Sequence, residues 1–229
     1  HVGTLAAVFV VYHKDIWRMI VETFKMIGDL FANLHIYMLN RIHKTSLKYH
    51  RVVHNNYRKF VMLVLVSTIP TGLIGIIGKG LVSAAGQTLL IPGICLLMTG
   101  VLLLIADTTR EGHKLPRQVT YKNGLLIGAA QGLATLPGLS RSGTTIAVCL
   151  LLGMDRRFAV KYSFILSIPA VLGAALLEVK DVIAEPVKAS QIGVYAIGMV
   201  FAAVVGYICI KTMLIVVKNK KFKYFSYYC

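Results

Sequence analysis

One stretch of the sequence decides the fold: residues 131–145 read QGLATLPGLSRSGTT. It lies inside 124–153, a region of 30 residues that is apolar, is interrupted by Pro137-Gly138 and is charged only at Arg141. A membrane-spanning helix needs about 20 apolar residues. An apolar region of this length with a turn signal at its centre therefore either crosses a membrane once or enters and leaves it on the same side.

The rest of the chain has the composition of a membrane protein. Of its 229 residues 56% are hydrophobic, and the apolar runs are long and nearly free of charge. Such runs predict membrane spans, because a soluble domain breaks its apolar segments often. We expect an all-α polytopic integral membrane helical bundle that forms a single domain over residues 1–229. Four full spans are predicted, at 60–77, 89–106, 158–177 and 192–217.

Positive charge is concentrated in a few segments. The chain carries 25 Lys and Arg against 9 Asp and Glu, which gives a formal net charge of +16. Four segments hold 21 of the 25 basic residues: 13–59, 107–123, 154–161 and 211–223. Basic segments of membrane proteins stay on the cytoplasmic side. This segregation explains the excess charge without a nucleic-acid partner.

The same charges predict the path of 124–153. A single crossing there would put 154–161 and 211–223 outside, with eight basic residues misplaced. Entry and return on the same side would keep every basic segment in the cytoplasm. Two half-helices of about 12 residues, each about 18 Å long, fit the region. We therefore predict a re-entrant helix-loop-helix over 124–153, which protein or a water-filled cavity must cover.

The two ends of the chain lead to separate expectations. Residues 1–12 are apolar but too short to span a bilayer, so we expect the last part of a helix whose beginning is missing. Segment 13–59 is predicted to be cytoplasmic, basic and amphipathic, with an interfacial helix first and an open role for 40–59. Its apolar residues recur at helical spacing: Ile16, Ile20, Phe24, Ile27, Phe31 and Leu34. Residues 221–229 predict the interfacial entry to another helix that this chain lacks.

Arg141 falls at the tip of the predicted re-entrant turn, near mid-membrane. An unpaired Arg at that depth is costly, and no Asp or Glu lies inside any predicted span. A bound anion is therefore the natural partner, and a structural partner on a missing segment is the alternative. After Pro137-Gly138 a new half-helix would point its first N–H groups at such an anion. Arg141 offers a planar fork for phosphate oxygens, and Gly143 allows close approach to the backbone.

Other small and polar residues near the turn also have structural explanations. Three hydroxyls follow the turn: Ser140, Ser142 and Thr145. Ser140 could instead cap the helix, and Thr145 could bond back to its own turn. Two faces of small residues predict close helix packing: Gly124, Gly128 and Gly132, and Gly198, Ala202 and Gly206. The four cysteines and seven histidines show no metal-ligand spacing, so no metal ligand is expected in this chain.

At these residues the sequence resembles the bacterial undecaprenyl-diphosphate phosphatase family, also called the bacitracin-resistance family. The family signature Pro-Gly-x-Ser-Arg-Ser-x-x-Thr is matched by Pro137, Gly138, Ser140, Arg141, Ser142, Gly143 and Thr145. The similarity extends to Gln131-Gly132, 153–156 and 164–169, and covers almost the whole chain. It implies an inverted-repeat membrane fold in which two re-entrant helix pairs meet at mid-membrane.

The resemblance also implies an activity. That activity is hydrolysis of undecaprenyl diphosphate to undecaprenyl phosphate and phosphate, which recycles the lipid carrier for peptidoglycan synthesis and confers bacitracin resistance. In the family the Arg at the position of Arg141 grips the diphosphate, so catalytic roles are expected for Arg141, Ser140 and Ser142. Substrate-binding roles are expected for four further residues: Gly138, Gly143, Thr145 and Gln131.

The resemblance further implies a divalent cation (Mg or Ca) and a site open to the outer face of the bacterial inner membrane. The oligomeric state is left open, with a homodimer as one possibility. In the family an upstream re-entrant copy carries glutamates, a serine and a histidine, and no residue here corresponds to it. We therefore expect the cation ligands to lie in a missing N-terminal part and this chain alone to be inactive. A lipid-phosphate flippase or anion transporter with the same re-entrant tip is the alternative.

Overall fold

The computed structural model describes residues 2–43, 46–184 and 189–229, and the side chains of 177–192 lie outside the description. Helices make up most of the described chain, so the all-α prediction is confirmed. In chain order they are α1 (Val2–Ile42), α2 (Asn56–Ile77), α3 (Lys79–Ala85), α4 (Leu90–Thr108), α5 (Tyr121–Leu133), α6 (Arg141–Leu151), α7 (Arg156–Ala184), α8 (Ala189–Lys218) and α9 (Phe222–Tyr228). A short 3₁₀ turn, Pro116–Gln118, precedes α5.

Four of the described helices are long and apolar enough to cross a membrane. They are Asn56–Ile77, Leu90–Thr108, Arg156–Leu176 and Gly193–Lys218. These spans confirm the predicted multi-pass membrane bundle, with ends that differ by a few residues because the helices continue into polar flanking sequence. α7 continues to Ala184, beyond the predicted end of its span at 177, and α8 begins at Ala189, before the predicted start at 192. The side chains of the loop predicted at 178–191 lie outside the described part.

α1 consists of two helical segments that meet in a kink at Tyr12, where the backbone leaves helical angles. The kink falls where the first helix was expected to end and a second one to begin. Residues 4–27 contain neither Pro nor Gly, so the chain is helical on both sides of it. The interfacial position of the second segment stays a prediction. Beyond the kink, large apolar side chains such as those of Trp17, Phe24 and Phe31 stay exposed.

The small residues of α8 pack against α1. A Cβ at Gly3 would lie 2.3 Å from the carbonyl oxygen of Met199, and one at Gly206 would lie 3.2 Å from the Cβ of Ala7. A Cβ at Gly198 would meet nothing within 4 Å. The predicted packing face of α8 is therefore confirmed near Gly206 and is wrong at Gly198.

The glycine face of α5 packs against α2, as predicted. A Cβ at Gly128 would lie 2.0 Å from the carbonyl oxygen of Ser67. Thr71 Oγ1 donates to Gly128 O at 2.8 Å, and Ser67 Oγ donates to Gly124 O at 2.6 Å. Backbones approach this closely only where the side chains are small. The order of these contacts shows that α2 and α5 run parallel, so both helices begin on the same side of the bundle.

α5 and α6 form a hairpin whose two ends lie together. α5 has 13 residues and α6 has 11, close to the two half-helices expected. Just outside the hairpin, Lys114 N donates to Gly153 O at 3.1 Å, and Asp155 N donates to Lys114 O at 3.2 Å. The chain therefore leaves the hairpin at the end where it entered. The placement of this hairpin in a membrane stays a prediction.

Acidic residues of α1 hold the basic segment against the bundle. Asp15, Glu22 and Asp29 are spaced by seven and so share one face of α1. Arg58, only 4% exposed, pairs with Glu22 at 2.7 Å and with Asp29. Asp15 pairs with Lys161 of α7 at 2.9 Å. Hydrogen bonds from Arg58 hold the pKa of the Glu22 and Asp29 carboxyls below their ordinary values.

Replacing Arg58 with Met is expected to lower the melting temperature in detergent by at least about 4 °C, because both carboxylates lose their buried partner. The contribution of Arg58 should be complete above the ordinary Glu pKa of 4.5 and should be lost as pH falls through the lowered carboxyl pKa values. The difference between wild type and variant should therefore shrink in acid. Arg110→Met, at an exposed cation, is the control, and an equal loss in both variants would contradict the assignment.

The C-terminal residues form the start of a further helix, α9, as expected. Phe222–Tyr228 pack along α4, and their interfacial position stays a prediction. Ser226 Oγ donates to Gly100 O at 2.6 Å, and the Phe222 N–H donates to Asp107 Oδ1 at 3.1 Å. Phe222 is fully buried. Asp107 caps the first turn of α9, and Gly100 leaves room for it against α4.

Candidate functional site

The turn between α5 and α6 is built around Gly138 and Ser140. Gly138 has a φ of +87°, and a Cβ there would lie 2.1 Å from the carbonyl oxygen of Pro92. Only glycine satisfies both conditions without displacing the backbone. Ser140 then caps α6, because its Oγ accepts a hydrogen bond from Gly143 N at 3.2 Å. The structural alternative for Ser140 is therefore present, and the same side chain also lines a cavity.

Thr99 of α4 holds this turn in place, and the sequence analysis did not single it out. Its side chain is buried, and its Oγ1 accepts a hydrogen bond from Ser140 N at 3.1 Å. The same hydroxyl donates to Cys95 O at 3.0 Å, within its own helix. A threonine in an apolar span commonly bonds to its own turn. No sequence signal distinguishes Thr99, because the second contact depends on how α4 packs against the hairpin.

Arg141 is the first residue of α6, and its half-buried side chain lines the cavity. In the described part of the chain, no carboxylate lies within ion-pair distance of its guanidinium. A buried cation is costly unless an anion compensates it. The N-terminus of α6 adds positive partial charge at the same place. The geometry therefore favours an anion that comes from outside the described residues.

The cavity beside Arg141 has a volume of about 540 Å³, within the usual range for small-molecule sites. Its polar end is formed by Ser140–Gly143. The rest of the wall is mostly apolar and comes from α1, α4, α7, α8 and α9: Leu5, Leu96, Leu103, Phe164, Ile210, Met213 and Phe225. A cavity with one polar, positively charged end and an otherwise mostly apolar wall matches an amphipathic ligand with an anionic head and an apolar tail.

Gln131 and Thr145 lie away from the cavity wall. Thr145 is fully buried, and its Oγ1 donates to Arg141 O at 2.9 Å and hydrogen-bonds to Ser163 of α7. Gln131 is also buried, and its Nε2 donates to Leu166 O at 3.3 Å. The bond of Thr145 back to its own turn, weighed as an alternative, is therefore present. Substrate contact by these two residues stays a prediction.

The seven predicted site residues thus fall into two groups. Ser140, Arg141, Ser142 and Gly143 meet at the cavity. The other three, Gly138, Thr145 and Gln131, shape the turn or brace the hairpin against α7. Four of the seven predicted site residues therefore line one cavity, and the other three support the turn and the hairpin around it.

The described wall of the cavity offers one cation, several hydroxyls and the thiols of Cys209 and Cys229. Arg141 supplies charge, and Ser140 and Ser142 supply hydroxyls. None of the described lining residues is His, Asp or Glu. Across the described chain no group of three or more His, Cys, Asp or Glu is arranged to hold a metal ion. General acid–base catalysis most often uses His, Asp or Glu within hydrogen-bond reach. The described wall instead presents groups suited to binding a phosphate.

Comparison with known proteins gives a match over the whole chain. The model of the family described as "Bacitracin resistance protein BacA" matches residues 1–229. This agrees with the signature around Arg141 and extends to every helix of the structure.

Curated relatives give the same result. A protein of Alkaliphilus metalliredigens (strain QYMF) named undecaprenyl-diphosphatase is 38% identical over 228 residues, which cover 100% of this chain and 78% of the relative. One of Methanosphaera stadtmanae with the same name is 38% identical over 229 residues, with the same coverage. A third, from Methanothermobacter thermautotrophicus, is 42% identical over 172 residues and covers 73% of this chain and 93% of the relative.

Proposed function

The chain belongs to the bacitracin resistance protein BacA family, and on that premise we propose that it hydrolyses undecaprenyl diphosphate to undecaprenyl phosphate and inorganic phosphate. One structural observation supports this proposal independently of the family match. Arg141, with no described carboxylate partner, stands at the polar end of a cavity whose remaining wall is mostly apolar. A lipid diphosphate has the two matching parts, a highly charged head and a long prenyl tail.

Arg141 binds the diphosphate in this proposal. Its guanidinium donates two N–H hydrogen bonds to phosphate oxygens, and its positive charge offsets the negative charge of the phosphoryl group that is transferred. The first N–H groups of α6 and the hydroxyls of Ser140 and Ser142 bind the same oxygens. During hydrolysis the bond between the terminal phosphorus and the bridging oxygen breaks. The oxygen of water joins the terminal phosphorus, and undecaprenyl phosphate leaves.

The reaction returns the lipid carrier to peptidoglycan synthesis and so supports bacitracin resistance. Phosphate release from undecaprenyl diphosphate, measured with the protein expressed from its complete gene and purified in detergent, tests the proposal. The flippase or transporter alternative predicts movement of the lipid across vesicles with the diphosphate intact. Transport without phosphate release would overturn the hydrolytic assignment.

We propose that a divalent cation, Mg or Ca, takes part in the reaction. The described cavity wall does not fit a resident cation, because it offers no carboxylate or imidazole beside Arg141. Phosphate oxygens of the substrate, or residues outside the described set, would have to supply the ligands. Treatment with EDTA is therefore expected to reduce phosphate release at least tenfold or so, and added Mg or Ca to restore it. Unchanged turnover in EDTA would contradict the requirement.

The orientation in the bacterial inner membrane is also proposed, with the basic loops cytoplasmic and the site open to the outer face. Two features support it. The basic segments 13–59, 107–123 and 154–161 surround the ends of the hairpin. The turn with Arg141 lies at the opposite end of α5 and α6, so cytoplasmic loops would place the turn toward the outside.

Cysteine labelling tests this orientation in a background in which the four native cysteines are replaced. Lys122→Cys and Arg157→Cys, both at exposed positions beside the hairpin ends, should react with an impermeant maleimide from the cytoplasmic side. Gln87→Cys, in the exposed loop before α4, should react from the outer side. Labelling of the Lys122 and Arg157 positions from opposite sides would exclude a re-entrant hairpin.

We also propose that the protein self-associates into a homodimer. Exposed apolar side chains on α1, among them Trp17, Phe24 and Phe31, offer a surface that a second copy can cover. Single-molecule counting of labelled protein in lipid nanodiscs should give two copies for each particle. One copy at every lipid-to-protein ratio would exclude the dimer.

A further inference from the structure

A second cavity, on the side of the basic loops, has three cations among its seven lining residues. It has a volume of about 450 Å³ and lies between the first turn of α2 and the first turn of α5. Seven residues line it: Arg51, Val53, His54, Asn55, Lys59, Arg117 and Tyr121. Three of these described residues are cations at neutral pH and none is acidic, so the wall attracts anions.

Contacts within the cavity position two of the cations. Arg117 Nη2 donates to the carbonyl oxygen of His54 at 2.6 Å, which links the 3₁₀ turn to the segment before α2. Lys59 Nζ lies 3.3 Å from the centroid of the Tyr121 ring, so a cation–π contact joins α2 to α5. Both contacts leave the positive charge without an anionic partner. Two of the three cations are therefore held by contacts between different elements.

The acidic residues that face this region are already paired. Glu22 and Asp29 both bind Arg58, which precedes Lys59 in the chain. In the part of the chain that the structure describes, no carboxylate forms an ion pair with Arg51, Lys59 or Arg117. Among the described residues, none of these three cations thus has a carboxylate partner of its own.

The cavity lies at the level where the apolar helices begin. Lys59 directly precedes Phe60, the start of the apolar run of α2, and Tyr121 is the first residue of α5. Tyr and Lys favour this boundary between headgroups and acyl chains. One turn further along α5, on the same face as Tyr121, Leu125 is 45% exposed. A ligand with phosphate in the cavity can therefore lay an acyl chain against the exposed side of α5.

We propose that this cavity binds the phosphate headgroup of an anionic phospholipid from the surrounding bilayer. Arg51, Lys59 and Arg117 neutralise the phosphate, and the Tyr121 hydroxyl lies among them at headgroup depth. Free phosphate shares this charge chemistry, but it makes no use of the apolar surface at Leu125. The site is separate from the cavity at Arg141 and does not depend on the proposed hydrolysis.

Native mass spectrometry of the detergent-purified protein tests the site with dioleoyl phosphatidylglycerol as the probe. Dioleoyl phosphatidylcholine is the neutral comparison, and inorganic phosphate is the competitor. Arg51→Gln together with Lys59→Gln removes two of the three cations and should weaken phosphatidylglycerol binding about tenfold or more. Arg110→Gln together with Lys14→Gln removes the same charge at exposed positions outside the cavity and should change binding less than about twofold.

The results of this experiment distinguish a lipid headgroup from free inorganic phosphate as the ligand. Weaker binding of phosphatidylglycerol by the cavity variant alone, with little displacement by millimolar phosphate, supports the lipid site. Equal loss in both variants, equal binding of phosphatidylcholine, or full displacement by inorganic phosphate would each overturn it. If the double variant has a lower melting temperature than the control, Arg51→Gln alone repeats the test at an exposed side chain, with an expected loss of about threefold.

Discussion

Phosphate release from undecaprenyl diphosphate is expected to fall at least about a thousandfold when Arg141 is replaced with alanine. Arg141 is the cation among the described residues of the cavity, and no described carboxylate shares its charge. The substrate head would then meet only hydroxyls and the N-terminus of α6. Because an arginine that neutralises a transferring phosphoryl group contributes to the transition state, the loss should appear in kcat and not only in KM.

Arg141→Lys separates charge from geometry. A lysine keeps the positive charge but cannot form two parallel hydrogen bonds to one phosphate, so we expect about a hundredfold loss of turnover. Arg110→Ala, at an exposed position outside the cavity, should leave turnover unchanged and serves as the control. All the proteins should have melting temperatures within a few degrees of wild type. Wild-type turnover in Arg141→Ala would remove this residue from the mechanism.

The features that depend on local sequence pattern could be predicted. The spans of α2 and α4 follow from apolar runs of sufficient length, and the hairpin at 124–153 follows from a turn signal inside such a run. The basic loops indicated which ends of helices lie together, and the bonds of Lys114 to Gly153 and Asp155 agree. Arg141 was identified because a lone charge in an apolar stretch demands a partner.

Features that depend on packing between distant segments were not predictable. Thr99 resembles any threonine in a span until α4 meets the turn at Ser140. Thr145 belongs to the signature, yet it faces Ser163 of α7, because α6 turns that side of the helix away from the cavity. The acidic residues of α1 are spaced by seven, which predicts that they share one face of the helix. Their partner Arg58 could not be assigned, because several cations of the basic segment were equally close in sequence.

Gly138→Ala is expected to have the second largest effect, although it adds a single methyl group. The residue has a φ of +87°, which is unfavourable for alanine by about 1 kcal/mol. The new Cβ would also lie 2.1 Å from the carbonyl oxygen of Pro92, so the backbone of α4 or of the turn must move. Movement of the turn breaks the bond from Ser140 N to Thr99 and re-aims the start of α6. We expect turnover to fall at least about a hundredfold and the melting temperature to fall by several degrees.

Gly72→Ala is the matched control, since it makes the same chemical change in the interior of α2, where a Cβ would meet nothing within 4 Å. It should leave turnover unchanged and keep or raise the melting temperature, because alanine favours helix. Turnover near wild type in Gly138→Ala would show that α6 reaches the substrate without this turn. Loss of turnover with binding of a diphosphate lipid intact would show instead that Arg141 still meets the head but no longer aligns it for attack.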